Sequence, residues 1–318
     1  MKWMMRTAGM LMVAAMLAAP LAAARPAPPD MKPDVKPDVQ APPVPLLWKV
    51  SGTQGSALYL LGSFHLLKPS DYPVSKDVDQ AFSRAQRVVF ELSSEEMNSP
   101  ALAAQMLQAA VRTDGRLLKD DLDADTWQLL QDWANDNSMP LDRLSGLKPW
   151  FVGLTVSIAQ MTRQGLDPQS GLDRHLMERA QKAGKPATGL ESAAAQIRML
   201  DGMGAEEQRQ LLREALELSG KGDEQSRRLH DAWRRGDADL LWHDMAVEMK
   251  RKYPDLYQRI NVDRNDAWLP LLQPWLQAGQ GDTLVVVGAL HLLGEDGVVE
   301  KLRAQGYKVE RICSSCKR

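Results

Sequence analysis

Two stretches of the sequence end in the same pattern. Leu60-Leu-Gly62-Ser-Phe-His65-Leu-Leu67 is echoed by Val286-Val-Gly288-Ala-Leu-His291-Leu-Leu293, each an apolar run followed by Gly-x-x-His-Leu-Leu. Glycine lets the chain turn sharply at a strand end, so the histidine projects past the carboxyl edge of the sheet, where open α/β sheets bind ligands. A single such histidine reads as a hydrogen-bonded turn residue. Two copies drawn from only five histidines point to one shared site. Two acids stand in like positions: Glu91 closes Val88-Val-Phe-Glu91, and Glu191 follows Thr188-Gly-Leu190. An acid at the end of a buried apolar strand is costly to bury unless it is paired or bound to a metal.

The chemistry open to such a set is of two kinds. Two neutral imidazoles and a carboxylate, His65, His291 and Glu91, suit Zn²⁺, Mn²⁺, Co²⁺ or Fe²⁺ with one coordination position left for water. Without a metal, one histidine could act as general base on water, oriented by Glu91 or Glu191. A third reading is non-enzymatic: a binding or signalling module that uses the same histidines for a metal, haem or peptide ligand. The sequence carries no His-Glu-x-x-His helix, Gly-x-Ser-x-Gly elbow, phosphate-binding loop or dinucleotide fingerprint. Ser63 lies inside the first turn and has no elbow to expose it as a nucleophile, so it reads as a turn residue.

The elements that must position these residues follow from the pattern. Leu46–Val50 and Ala57–Leu61 read as a hairpin, Val74–Gln86 as a helix, and Arg87–Leu92 as a buried strand. Lys148-Pro149 is a helix entry for Trp150–Met161, and Leu172–Ala183 is a helix ending at Gly184. Pro186–Leu190 is a short strand running into Glu191. Residues 193–276 are almost wholly helical in pattern: Ala205–Leu218, Glu224–Arg235, Ala238–Lys252 and Arg264–Gln277. Asp282–Val287 is a strand, Gly297–Ala304 a helix and Tyr307–Ile312 a last strand. The expected fold is therefore α/β: a central mixed sheet formed by the N- and C-terminal segments, with a large helical insertion over about 97–280.

The 318 residues are 44% hydrophobic and 25% charged, with a formal charge of −2, which suits a globular domain and argues against a nucleic-acid scaffold. The start has the three parts of a secretory leader: basic Lys2 and Arg6, an apolar stretch from Ala8, and small Ala22 and Ala24 before Arg25. Residues 1–24 are expected to be removed, giving an exported protein, periplasmic or extracellular, with no membrane-spanning segment left. Residues 25–45 hold eight prolines and the repeat Lys-Pro-Asp-Val, and read as a solvated tether. Residues 46–318 form the expected single domain. The pair Cys313 and Cys316 reads as a small disulfide loop, while His175, His230 and His243 read as surface or packing residues.

These segments together resemble the TraB/GumN family, whose relatives include Tiki-type metalloproteases and, more distantly by fold, erythromycin-esterase-like proteins. The resemblance is carried by Leu58–His65, Val88–Glu91, Gly171-Leu-Asp-Arg174, Gly184–Glu191, Arg264-Asn265 before Trp268, and Val287–Gly297, and it spans about residues 46–312. It implies that His65 and His291 are the family's paired histidines, Glu91 its strand-end glutamate and Arg264 the arginine of its Arg-Asn motif. Relatives usually carry Glu before that motif, where this chain has Asp263. Glu191 and Asp173 match recurrent family positions. The implied activity is metal-dependent hydrolysis of a peptide or amide bond in a peptide or small-molecule substrate. In it His65, Glu91 and His291 hold the metal, Arg264 stabilises developing negative charge and Glu191 serves as general base.

Overall fold

The computed structural model describes residues 41–316. The expected leader and most of the proline-rich segment lie outside the described residues. The last part of that segment is docked: Pro43 and Pro45 are buried, and the Val44 N–H donates to the Arg234 carbonyl.

Six strands form one sheet in the order β4-β3-β5-β2-β1-β6. They are β1 (Leu47–Ser51), β2 (Ala57–Ser63), β3 (Arg87–Phe90), β4 (Ala187–Gly189), β5 (Thr283–Gly288) and β6 (Lys308–Arg311). The hairpin expected from the two opening apolar runs is present, with Leu47 opposite Leu61 and Ser51 opposite Ala57. β5 lies between β2 and β3 and is parallel to both, and β4 is parallel to β3. Parallel central strands are covered on both faces, which is why β2 and β5 read as unbroken apolar runs and are buried at every position. The sheet does join the two ends of the chain, as expected. It also takes β4 from within the helical stretch, as an edge strand of three residues.

The helices used below are α1 (Lys76–Arg84), α2 (Pro149–Arg163), α3 (Leu172–Lys182), α4 (Ala205–Gly220), α5 (Asp223–Arg235), α6 (Asp263–Gln277) and α7 (Val298–Ala304). Pro149 stands in the first turn of α2, where its missing N–H leaves no bond unmade. The expected helix Ala238–Lys252 is interrupted by a π-helical turn at His243–Val247. A second π-turn, Gln258–Val262, leads directly into α6. Helix α6 continues through Pro270 and Pro274, which lie four residues apart on an exposed stripe, so the backbone carbonyls they strand can face water. One buried apolar cluster runs from Leu46 through the sheet to Leu302 and includes Trp150, Trp233 and Trp268. Among the described residues no helix is long and apolar enough to cross a membrane. The sulfurs of Cys313 and Cys316 are bonded, and the loop they close is tied to α1 by Ser314 N–H donating to Asp77 Oδ2 at 2.7 Å.

Candidate functional site

Four parallel strands end at one edge of the sheet, and each delivers one of the residues singled out in the sequence. His65 comes two residues after β2, Glu91 directly after β3, Glu191 two residues after β4 and His291 three after β5. From β2 the chain crosses to β3, while from β5 it crosses the opposite way to β6. The two histidines therefore flank the point where the strand connections diverge. Arg264 enters from the first turn of α6, just past the π-turn; such turns recur at functional sites because they re-aim the residues that follow.

The five residues converge, but not symmetrically. His65 is 7% exposed, and its Nδ1 lies 3.0 Å from Asp173 Oδ1. Ser63 Oγ donates to the same carboxylate oxygen at 2.9 Å and accepts from the Asp173 N–H. Asp173 belongs to the first turn of α3, where the helix N-terminus favours an anion. Burial alone would push the His65 pKa down, but the charge and hydrogen bond of Asp173, with Glu91 adding, outweigh it and hold the pKa above 6.5. The partner Asp173 is held below the ordinary carboxylate value, since His65 and Ser63 overcome the effect of burial. His65 Nε2 is buried, has no hydrogen-bond partner among the described residues and lies 4.0 Å from Glu91 Oε1.

His291 is fully buried against Trp268, their ring centroids 4.3 Å apart. Its Nδ1 is 2.6 Å from Asn265 Oδ1 and its Nε2 is 3.0 Å from Arg264 Nη1. Burial first, and then the positive charge of Arg264, push its pKa well below 6.5, so it is neutral. Arg264 sits at the centre of the cluster. Its Nη2 donates to Glu91 Oε2 at 2.6 Å and also to Glu191 Oε1, its Nε donates to Glu191 Oε1 at 2.9 Å, and its Nη1 also reaches the Ile260 carbonyl at 3.4 Å. Burial opposes its charge, but the two glutamates more than compensate. The Trp268 ring lies beneath the guanidinium at 5.0 Å. Glu91 Oε1 accepts from the Gly288 N–H at 2.7 Å, so the first glycine of the second histidine turn is itself part of the site.

By type, His65, Glu91 and His291 suit a divalent transition metal. By arrangement they do not fit one. Among the described residues only His65 offers the set a ring nitrogen with no hydrogen bond on it. His291 Nε2 accepts from Arg264, and each oxygen of Glu91 already accepts one hydrogen bond, though Oε1 has room for a second. The buried guanidinium also stands among these donors and repels a second cation. Among the described residues no group of three or more His, Cys, Asp or Glu side chains is placed to hold a metal ion.

The remaining histidines lie elsewhere. His175 packs on Tyr72, His230 is buried and hydrogen-bonded to Asp71 at 2.7 Å, and His243 is exposed. Sequence reasoning gave Ser63 no part beyond the turn and assigned none to Gly288 or to Asn265 as an individual residue. The signals were present in the Gly-x-x-His and Arg-Asn motifs, but the partners of Ser63 and Gly288 lie 110 and 197 residues away in the chain, and those of Asn265 lie 26 and 31 away with no helical or strand period linking them. Gly171 is another: a Cβ there would come within 2.3 Å of the His65 carbonyl oxygen, so only glycine lets the start of α3 approach the first histidine turn.

The sequence model of the TraB/PrgY/gumN family matches residues 46–311. The chain is 23% identical over 256 residues to the uncharacterized protein YbaP of Escherichia coli strain K12, covering 77% of this chain and 87% of that one. The YbaP of Shigella flexneri matches to the same extent. No solved structure matches significantly.

Proposed function

The chain belongs to the TraB/PrgY/gumN family, and from that premise we propose that it is a hydrolase of peptide, amide or ester bonds in which His65 is the general base. The observation that carries this reading is the free, buried Nε2 of His65, on an imidazole braced from behind by Asp173. A carboxylate on Nδ1 fixes the tautomer that leaves Nε2 bare and stabilises the imidazolium formed when it takes a proton. Water held between His65 Nε2 and Glu91 Oε1 is the nucleophile. Its proton passes to Nε2 as its oxygen attacks the substrate carbonyl, and the imidazolium then returns the proton to the leaving group. Arg264 offsets the negative charge that develops on the carbonyl oxygen; its long contact to the Ile260 carbonyl is the N–H most easily turned toward substrate.

The metal-dependent form of the same hydrolysis competes with this reading and requires Arg264 to release His291. We place the activity outside the cytoplasm, on the leader-like residues 1–24 and with support from the C-terminal disulfide. The test is turnover of a peptide, amide and ester library by chelator-treated protein. Activity should persist in EDTA and fall about 10²–10⁴-fold in His65→Ala. Activity lost in EDTA and restored by Mn²⁺, Co²⁺ or Zn²⁺ favours the metal form, and ligand binding with no turnover favours a binding module.

A further inference from the structure

We propose that Asn265 is a positioning residue: it fixes His291 as the Nδ1–H tautomer, so that the bare Nε2 accepts from Arg264 and aims the guanidinium. A guanidinium has five N–H donors and no acceptor. The 3.0 Å contact between Arg264 Nη1 and His291 Nε2 therefore requires an unprotonated Nε2, and a neutral ring must then carry its proton on Nδ1. Asn265 Oδ1 stands 2.6 Å from Nδ1 and accepts that proton's hydrogen bond. The opposite end of the amide fixes its orientation, because Asn265 Nδ2 donates to the Asp296 carbonyl at 2.8 Å. A flipped amide would set donor against donor at the ring and oxygen against oxygen at Asp296. Ring position is set in turn by Trp268 and by complete burial.

The two echoed histidines thus have different duties. An anion lies behind His65 and no described residue hydrogen-bonds its Nε2, whereas a neutral amide lies behind His291 and its Nε2 carries the arginine. Arg264 also holds Glu91 and Glu191, so the relay from Asp296 through Asn265 and His291 sets where the positive charge of the site lies. A metal taking His291 Nε2 would have to displace it. The relevance of this relay to catalysis rests on the hydrolytic reading; the tautomer does not.

The test is a ¹⁵N NMR spectrum of the full chain, labelled in its histidine rings and chelator-treated at neutral pH. One imidazole should show a proton on Nδ1 and a bare Nε2, identified by its loss in His291→Gln. In Asn265→Ala that single tautomer should give way to the Nε2–H form or to exchange between the two. One equivalent of Zn²⁺, added to the unaltered chain, should leave the His291 nitrogens unmoved. The proposal is overturned if folded Asn265→Ala keeps the single Nδ1–H tautomer, if His291 carries its proton on Nε2 or is a mixture in the unaltered chain, or if Zn²⁺ shifts Nε2 of His65 and His291 together. The Zn²⁺ arm decides even if Asn265→Ala does not fold. Absence of turnover would remove the hydrolytic reading and leave the spectrum unaffected.

Discussion

At the scale of single residues, what separates the two histidines is the group behind each ring. Asp173 and Asn265 differ by one atom type: the anion behind His65 raises its pKa against burial, whereas behind His291 a neutral amide leaves burial and the charge of Arg264 unopposed, and that imidazole stays neutral. For a base the neutral form is the working one, so a rate carried by His65 should rise with pH through a value above 6.5. Replacing Asp173 by Asn removes the charge that raises His65 and should move this limb to lower pH while lowering the plateau about 10²-fold. A pH–rate profile of the two proteins checks it. An unmoved limb would mean that another group carries the titration. The equivalence of the two histidines in the sequence did not extend to their partners, which come from α3 and α6.

At the scale of elements, the strand ends place the site and the helix starts finish it. β2, β3, β4 and β5 were legible as strands because their apolar runs are short and closed by glycine or by an acid. Their order in the sheet was not, since β5 inserts between β2 and β3 after nearly two hundred intervening residues. Helix α3 approaches the first histidine turn so closely that Leu172 N–H donates to the Phe64 carbonyl at 3.0 Å. Gly171→Ala should force these backbones apart and destabilise the protein by about 1–3 kcal/mol, the usual cost of overpacking. Chemical denaturation measures this, and an unchanged midpoint would show that the approach is slack. The π-turn before α6 was invisible in the sequence, because hydrophobic period does not distinguish one widened turn within a helical run.

At the scale of the whole molecule, the buried polar ties bind distant segments to the sheet. Asp71, fully buried, accepts from His230 Nε2, from Arg234 and from the Lys68 N–H, while Arg234 also donates to the Ala41 carbonyl. This fastens α5 to both the loop after the first histidine turn and the incoming N-terminal segment. The same helix sends Trp233 Nε1–H to the Gly62 carbonyl. Burial works against an ionised Asp71, but His230 and the Lys68 N–H outweigh it and hold its pKa below 3.8. The unfolded chain therefore binds this proton first as pH falls. The stabilisation is complete above the ordinary carboxylate value and is lost as pH drops through the lower folded one. Denaturation midpoints below about pH 4 should consequently fall less steeply in Asp71→Asn than in the unaltered protein, and equal slopes would show that Asp71 does not carry the effect.

The sequence alone determined the strands, most helix limits, the echo of the two histidine turns and the family, because these are written in local period, caps and turn residues. His65, Glu91, Glu191, Arg264 and His291 are all legible in the sequence, at strand ends and in the Arg-Asn motif. Only the tertiary structure decided what each one touches. His65 meets Asp173 across 108 residues of chain and Arg264 meets Glu91 across 173. Contacts at that separation leave no spacing rule in the sequence. The partner, not the motif, sets whether an imidazole is a base, a ligand or the support of an arginine.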